Sequence, residues 1–156
     1  MSPSSGDAWS GQFALSPAPK LFRDRQFWLA VVLPVFFWIG LYQLLAPRDI
    51  AHPPLFWLNQ VLLIPIVEEL VFRGWLQGSL LRRRAMRNGC CGISLANFAA
   101  ALLFSAAHFF SHPPIWAAGV IAPALVFGYF RERHNSVYPA ILLHVYYNGG
   151  YFAFLE

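Results

Sequence analysis

Between Leu55 and Leu81 the chain is almost wholly apolar, and only three residues there carry charge: the adjacent Glu68 and Glu69, and Arg73. An ionised side chain near the centre of a bilayer costs at least ~2.5–3.5 kcal/mol on insertion scales, so three in one stretch need partners and a purpose. Composition agrees that the solvent is lipid. The sequence is 58% hydrophobic and 12% charged, against roughly 25% charged residues in an ordinary soluble domain.

Five apolar stretches follow one another: Phe27–Ala46, Leu55–Leu81, Ile93–Phe110, Ile115–Phe130 and Ser136–Leu155. Each is near the ~17–25 residues that span a bilayer as a helix, the second long enough to tilt and the fourth marginal. The predicted fold is therefore all-α, a polytopic membrane bundle of about five transmembrane helices in one domain over residues 27–156. Met1–Pro19 is rich in Ser, Pro and Gly and lacks the apolar core of a cleavable signal, which predicts a disordered cytoplasmic tail over residues 1–26. The adjacent Cys90 and Cys91 suit a reduced or lipidated pair better than a disulfide.

The net charge of +4 does not point to nucleic acid. Lys20, Arg23 and Arg25 precede the first stretch, Arg82, Arg83, Arg84 and Arg87 lie between the second and third, and Arg131 and Arg133 lie between the fourth and fifth. The opposite loops carry only Arg48. This is the positive-inside asymmetry, which predicts a cytoplasmic N-terminus in a multi-pass cell-membrane protein, bacterial inner membrane in kind.

Three polar constellations interrupt the apolar stretches. Glu69 and Arg73 stand at i,i+4 on one helix face, so the guanidinium can hold a carboxylate. Glu68, about 100° away, can face another wall. Pro65 removes a backbone hydrogen bond beside these acids. The third stretch places Phe104 one turn before His108, and the fifth places His144 one turn before Asn148. A structural ion pair, a packing histidine and a hydrogen-bonded His/Asn pair would each be a bland account of one constellation; the surplus carboxylate is more than a structural pair needs, and the two donors are what a developing oxyanion requires. At ~1.5 Å per residue the three sites fall within the hydrocarbon but spread over about 10 Å in depth, a gap that helix tilt can absorb.

These residues resemble the CPBP intramembrane proteases, which include the type II CAAX prenyl proteases and bacteriocin-processing or immunity-associated membrane proteins. The family pattern EExxxR, FxxxH, HxxxN stands here as Glu68-Glu69 with Arg73, Phe104 with His108, and His144 with Asn148, in order. The resemblance implies an endopeptidase that cuts a membrane-anchored protein or peptide. In it Glu68 and His108 would activate water, His144 and Asn148 would line the oxyanion hole, and Glu69 with Arg73 would set the pose of the first carboxylate. It implies catalysis of the glutamic type without a cofactor; zinc on Glu68, His108 and His144 is the variant left open. Only one stretch precedes the EExxxR helix, which is similar to the short bacterial branch tied to C-terminal protein-sorting tags and points away from a prenylated substrate. A non-catalytic immunity or scaffold protein of the same family, and an ion or proton carrier, are the competing classes.

Overall fold

The computed structural model describes residues 13–45 and 51–155. Five helices dominate: α1 (Arg25–Leu45), α2 (Pro54–Leu81), α3 (Leu95–His108), α4 (Pro114–His134) and α5 (Tyr138–Leu155). Among the described residues three of them, α1, α2 and α4, are long and apolar enough to cross a membrane. The stretch Ile93–Phe110 yields a helix of 14 residues, about 21 Å at 1.5 Å per residue and short of a hydrocarbon core. Its start is set by Ser94, whose side chain accepts from Asn97 N. The fourth helix is longer than its apolar stretch predicts, because it runs on through Phe130 into Arg131–His134 and stops at Asn135 in the left-handed conformation. Arg131, read as a loop charge, is consequently buried on α4, where its Nε donates to the carbonyl of Arg73 at 3.1 Å.

A small hairpin, absent from the all-α expectation, joins the α2 end to α3. Strands β1 (Gly89–Cys90) and β2 (Ile93–Ser94) pair antiparallel through Cys91 and Gly92. Both linking residues have positive φ, 55° and 80°, the two-residue turn geometry that a right-handed strand twist favours. Both cysteines are free and exposed.

The expected tail over 1–26 reaches into described residues; positions 1–12, like Ala46 and Arg48, lie outside them. From residue 13 onward the chain lies against the bundle. The carbonyls of Ala14 and Ser16 accept from Val137 N at 2.9 Å and Ser136 Oγ at 2.6 Å. Leu21 is buried with Phe27, Phe127 and Phe130. Asp24 pairs with Arg133 and His134 at the end of α4. Apolar side chains and backbone acceptors thus give this segment enough partners to offset the entropy of ordering it.

Helix α5 is the hub, packed on α1, α2 and α4, while α3 packs on α4 and α2. Close approach of α1 to α5 needs Gly150, where an added Cβ would stand 2.1 Å from the Trp38 ring. Helix α2 contains two stretches of wider, π-type winding, Trp57–Leu63 and Leu70–Gln77. In a regular α-helix a step of four residues overshoots a full turn by about 40°, whereas π winding adds a residue to the turn and cancels that drift. The buried face carries Pro65, Glu69, Arg73, Gln77 and Leu81 at every fourth residue, with Gly74 and Gly78 buried beside them. The other faces of α2 expose Leu58, Leu62, Val67, Val71 and Trp75, as a lipid-facing helix should.

Candidate active site

Glu69 sits on the buried face of α2 with no exposed surface. Its Oε1 accepts from Arg73 Nη1 at 2.8 Å and from His144 Nδ1 at 2.8 Å; Oε2 has no partner among the described residues. The i,i+4 spacing brings Arg73 to Glu69, and α4 brings a second acceptor, the Ala124 carbonyl, 3.0 Å from Arg73 Nη2. Aromatic rings close over the guanidinium, with Cζ 4.3 Å from the centroid of Phe104 and 5.4 Å from that of Phe127. A buried ion pair survives only with such hydrogen-bonded and π contacts around it.

Glu68, one residue earlier, points elsewhere: its side chain is 28% exposed. Oε2 lies 3.7 Å from His144 Nε2, too long for a direct hydrogen bond and within an ion pair's reach. One imidazole therefore spans both carboxylates. Because Glu69 can only accept when ionised, the hydrogen between them belongs to His144 Nδ1, and Nε2 is the nitrogen turned toward Glu68. Phe127 stacks on the ring at 5.0 Å and Phe104 meets it edge-on at 5.7 Å, so its orientation is set by packing as well as by hydrogen bonding.

His108, in the last turn of α3, donates from Nδ1 to the Phe104 carbonyl at 2.8 Å. A carbonyl can only accept, so this bond fixes the neutral ring's proton on Nδ1 and leaves Nε2 as a base. The Phe104 ring touches it, centroids 4.6 Å apart. Phe104 is thus in contact with Arg73, His108 and His144 together. Beside Glu68 a depression of about 200 Å³, lined also by Leu63, Ile64 and Val67, runs along α2.

Asn148 stands one turn beyond His144, yet its amide is engaged with α2 rather than with either carboxylate. Nδ2 donates to the carbonyl of Gln60 at 3.0 Å. The local sequence explains that acceptor. Ile64 N bonds back to Asn59, so the next carbonyl would look to residue 65, a proline with no N–H.

Helices α2, α3 and α5 thus bring Arg73, His108 and His144 onto Phe104, with Glu69 bonded to Arg73 and His144, Glu68 3.7 Å from His144, and Asn148 tied to α2. Among the described residues no group of three or more His, Cys, Asp or Glu side chains is disposed to hold a metal ion. Reading the charges alone overlooked Gln77, Asn97 and Phe127, all buried. The signal for Gln77 was present in the four-residue step that links Glu69 to Arg73.

Residues 50–150 match a family model, that of the type II CAAX prenyl endopeptidase Rce1-like proteins. The matched region holds every residue of this site, from Gln60 to Asn148. Comparison with curated proteins and with solved structures gives no match.

Proposed function

The chain belongs to the Rce1-like type II CAAX prenyl endopeptidases, a family of intramembrane proteases, and from that premise we propose a glutamate-type hydrolysis of a membrane-anchored protein near its C-terminal tail. The observation that carries the reading is the single imidazole of His144 set between two carboxylates of different exposure, 2.8 Å from Glu69 and 3.7 Å from Glu68. An ion pair serving packing alone would need Glu69 and Arg73 only.

In this reading Glu68 is the general base. Water held between its carboxylate and His108 Nε2 attacks the scissile carbonyl carbon as Glu68 takes one of its protons. Negative charge develops on the carbonyl oxygen, and His144, carrying hydrogens on both nitrogens, meets it from Nε2 while Glu69 balances the imidazolium from the other side. Before attack the two carboxylates, the guanidinium and the imidazolium sum to zero charge within the bundle; after it, with Glu68 protonated, the oxyanion takes the place of that carboxylate and the sum is unchanged. Asn148 Nδ2 has a second hydrogen beyond the one given to Gln60, and it is the other oxyanion donor; such preorganised donors contribute ~3–4 kcal/mol each. Glu68 finally returns its proton to the leaving nitrogen as the C–N bond breaks. The depression along Leu63, Ile64 and Val67 gives the substrate segment a lateral approach to Glu68 from lipid.

Glu68→Gln should lower kcat by about 10²–10⁴-fold, the usual contribution of a general base, when C-termini of membrane proteins are compared by mass spectrometry in cells carrying either form. Identical C-termini in the two would end the proposal. Exhaustive chelation should leave cleavage unchanged; loss on chelation with recovery on adding zinc would replace the glutamate mechanism by a metal-dependent one. Tight binding of a tail without any cleavage would favour a scaffold role.

A further inference from the structure

The buried face of α2 continues past the site. Gln77, four residues beyond Arg73, is fully buried, and its Nε2 donates to the Gly128 carbonyl at 3.1 Å and to Glu132 Oε1 at 2.6 Å. Arg73 and Gln77 therefore address α4 at Ala124 and Gly128, which are separated by the same step of four on the facing helix. Glycine is required there: a Cβ at Gly128 would stand 1.9 Å from Asn97 Oδ1 and 3.0 Å from Gln77 Oε1.

The node beyond Gln77 draws in a third helix. Glu132 Oε1 also accepts from Ser94 Oγ at 2.6 Å, and Ser94 caps α3 through Asn97 N at 2.9 Å. Asn97 Nδ2 in turn donates to the Leu125 carbonyl at 3.0 Å. Arg73 donates to the Ala124 carbonyl and its own carbonyl accepts from Arg131 Nε, so both of these ties meet α2 at a single residue and alone would leave it free to pivot about that residue. A second stitch one turn away fixes the roll of the helix.

The geometry points to Gln77 as a positioning residue: anchored on Gly128 and Glu132, it holds α2 in the roll that keeps Arg73 against Ala124, and through Arg73 it holds the Glu69 carboxylate and the His144 ring. Its effect on cleavage rests on the proteolytic reading above; its effect on the His144–Glu69 bond does not. Gln77 is bonded to Gly128 and Glu132 and stands about 6 Å along the axis from Arg73. Misplacing a reacting group by about 1 Å can cost on the order of a hundred-fold in rate.

The test compares Gln77→Met, which keeps length and removes the donor, with Gln77→Glu and with Gln77→Glu combined with Glu132→Gln. Each full-length protein is purified as a monodisperse peak, assayed for cleavage and labelled with ¹⁵N-histidine to observe the Nδ1 proton of His144. Gln77→Met should lower kcat by on the order of ten- to a hundred-fold, leave KM within about two-fold, and shift or broaden that proton. Gln77→Glu, which opposes two carboxylates and leaves the Gly128 carbonyl without a donor, should do the same, and adding Glu132→Gln, which returns a donor to the side-chain pair but none to Gly128, should recover part of both signals. Wild-type kcat with an unmoved His144 proton in Gln77→Met overturns the assignment. So does a double variant no better than Gln77→Glu alone, a comparison that decides the matter even where Gln77→Met does not fold. If the wild-type protein cleaves nothing, the proteolytic reading fails, while the His144 proton still judges Gln77.

Discussion

Glu68 and Glu69 are chemically the same residue, and one peptide unit separates them, yet their surroundings divide their work. Glu69 is buried against Arg73 and His144, both of which are in turn covered by Phe104 and Phe127; Glu68 keeps an open side. Removing Arg73 would strand a buried carboxylate. Arg73→Met should therefore lose about 3–5 kcal/mol of stability, read as a lower unfolding midpoint in detergent. Arg73→Lys should recover little of it, since one ammonium cannot hold Glu69 Oε1 and the Ala124 carbonyl in the fork that the guanidinium provides.

Helix α2 shows how an element, rather than a residue, can carry a site. Its π-type winding keeps positions 65, 69, 73, 77 and 81 on one buried face, and a regular helix of the same sequence would swing Gln77 and Leu81 progressively toward lipid. Packing of α1 on α5 is as exacting in a different way. Gly150→Ala would drive a methyl into the Trp38 ring and should cost about 1–3 kcal/mol. Gly40→Ala, on α1 with nothing within 4 Å of the new methyl, should be neutral or stabilise by up to about 1 kcal/mol through helix propensity alone. Thermal unfolding of both variants in one detergent checks the contrast; equal shifts would mean that α1 does not lie against Gly150.

At the scale of the whole molecule, the segment before α1 is tied to the end of α4 through Asp24, Arg133 and His134. The hydrogen bond from Arg133 holds the Asp24 carboxyl below its ordinary 3.8, against the opposing effect of burial. A lowered carboxyl stabilises the folded form above the unfolded value and loses that contribution as pH falls through the folded one. Proteolysis of residues 13–24 should consequently accelerate below about pH 3.8, and Asp24→Asn should be cut at the faster rate already at pH 7. Membrane solvent, helical class and the three motif pairs were all legible in the sequence, because apolar length and i,i+4 spacing are local properties. The packed segment from residue 13, the burial of Arg131, the shortness of α3 and the turn of Asn148 toward Gln60 were not. Each depends on which surface another helix presents. By itself the sequence determined which groups are available and on which helix they stand; only the tertiary structure decided which carboxylate is sealed and which stays open, because that choice is made by His144, Phe127 and the α4 carbonyls, partners far from Glu68 and Glu69 along the chain.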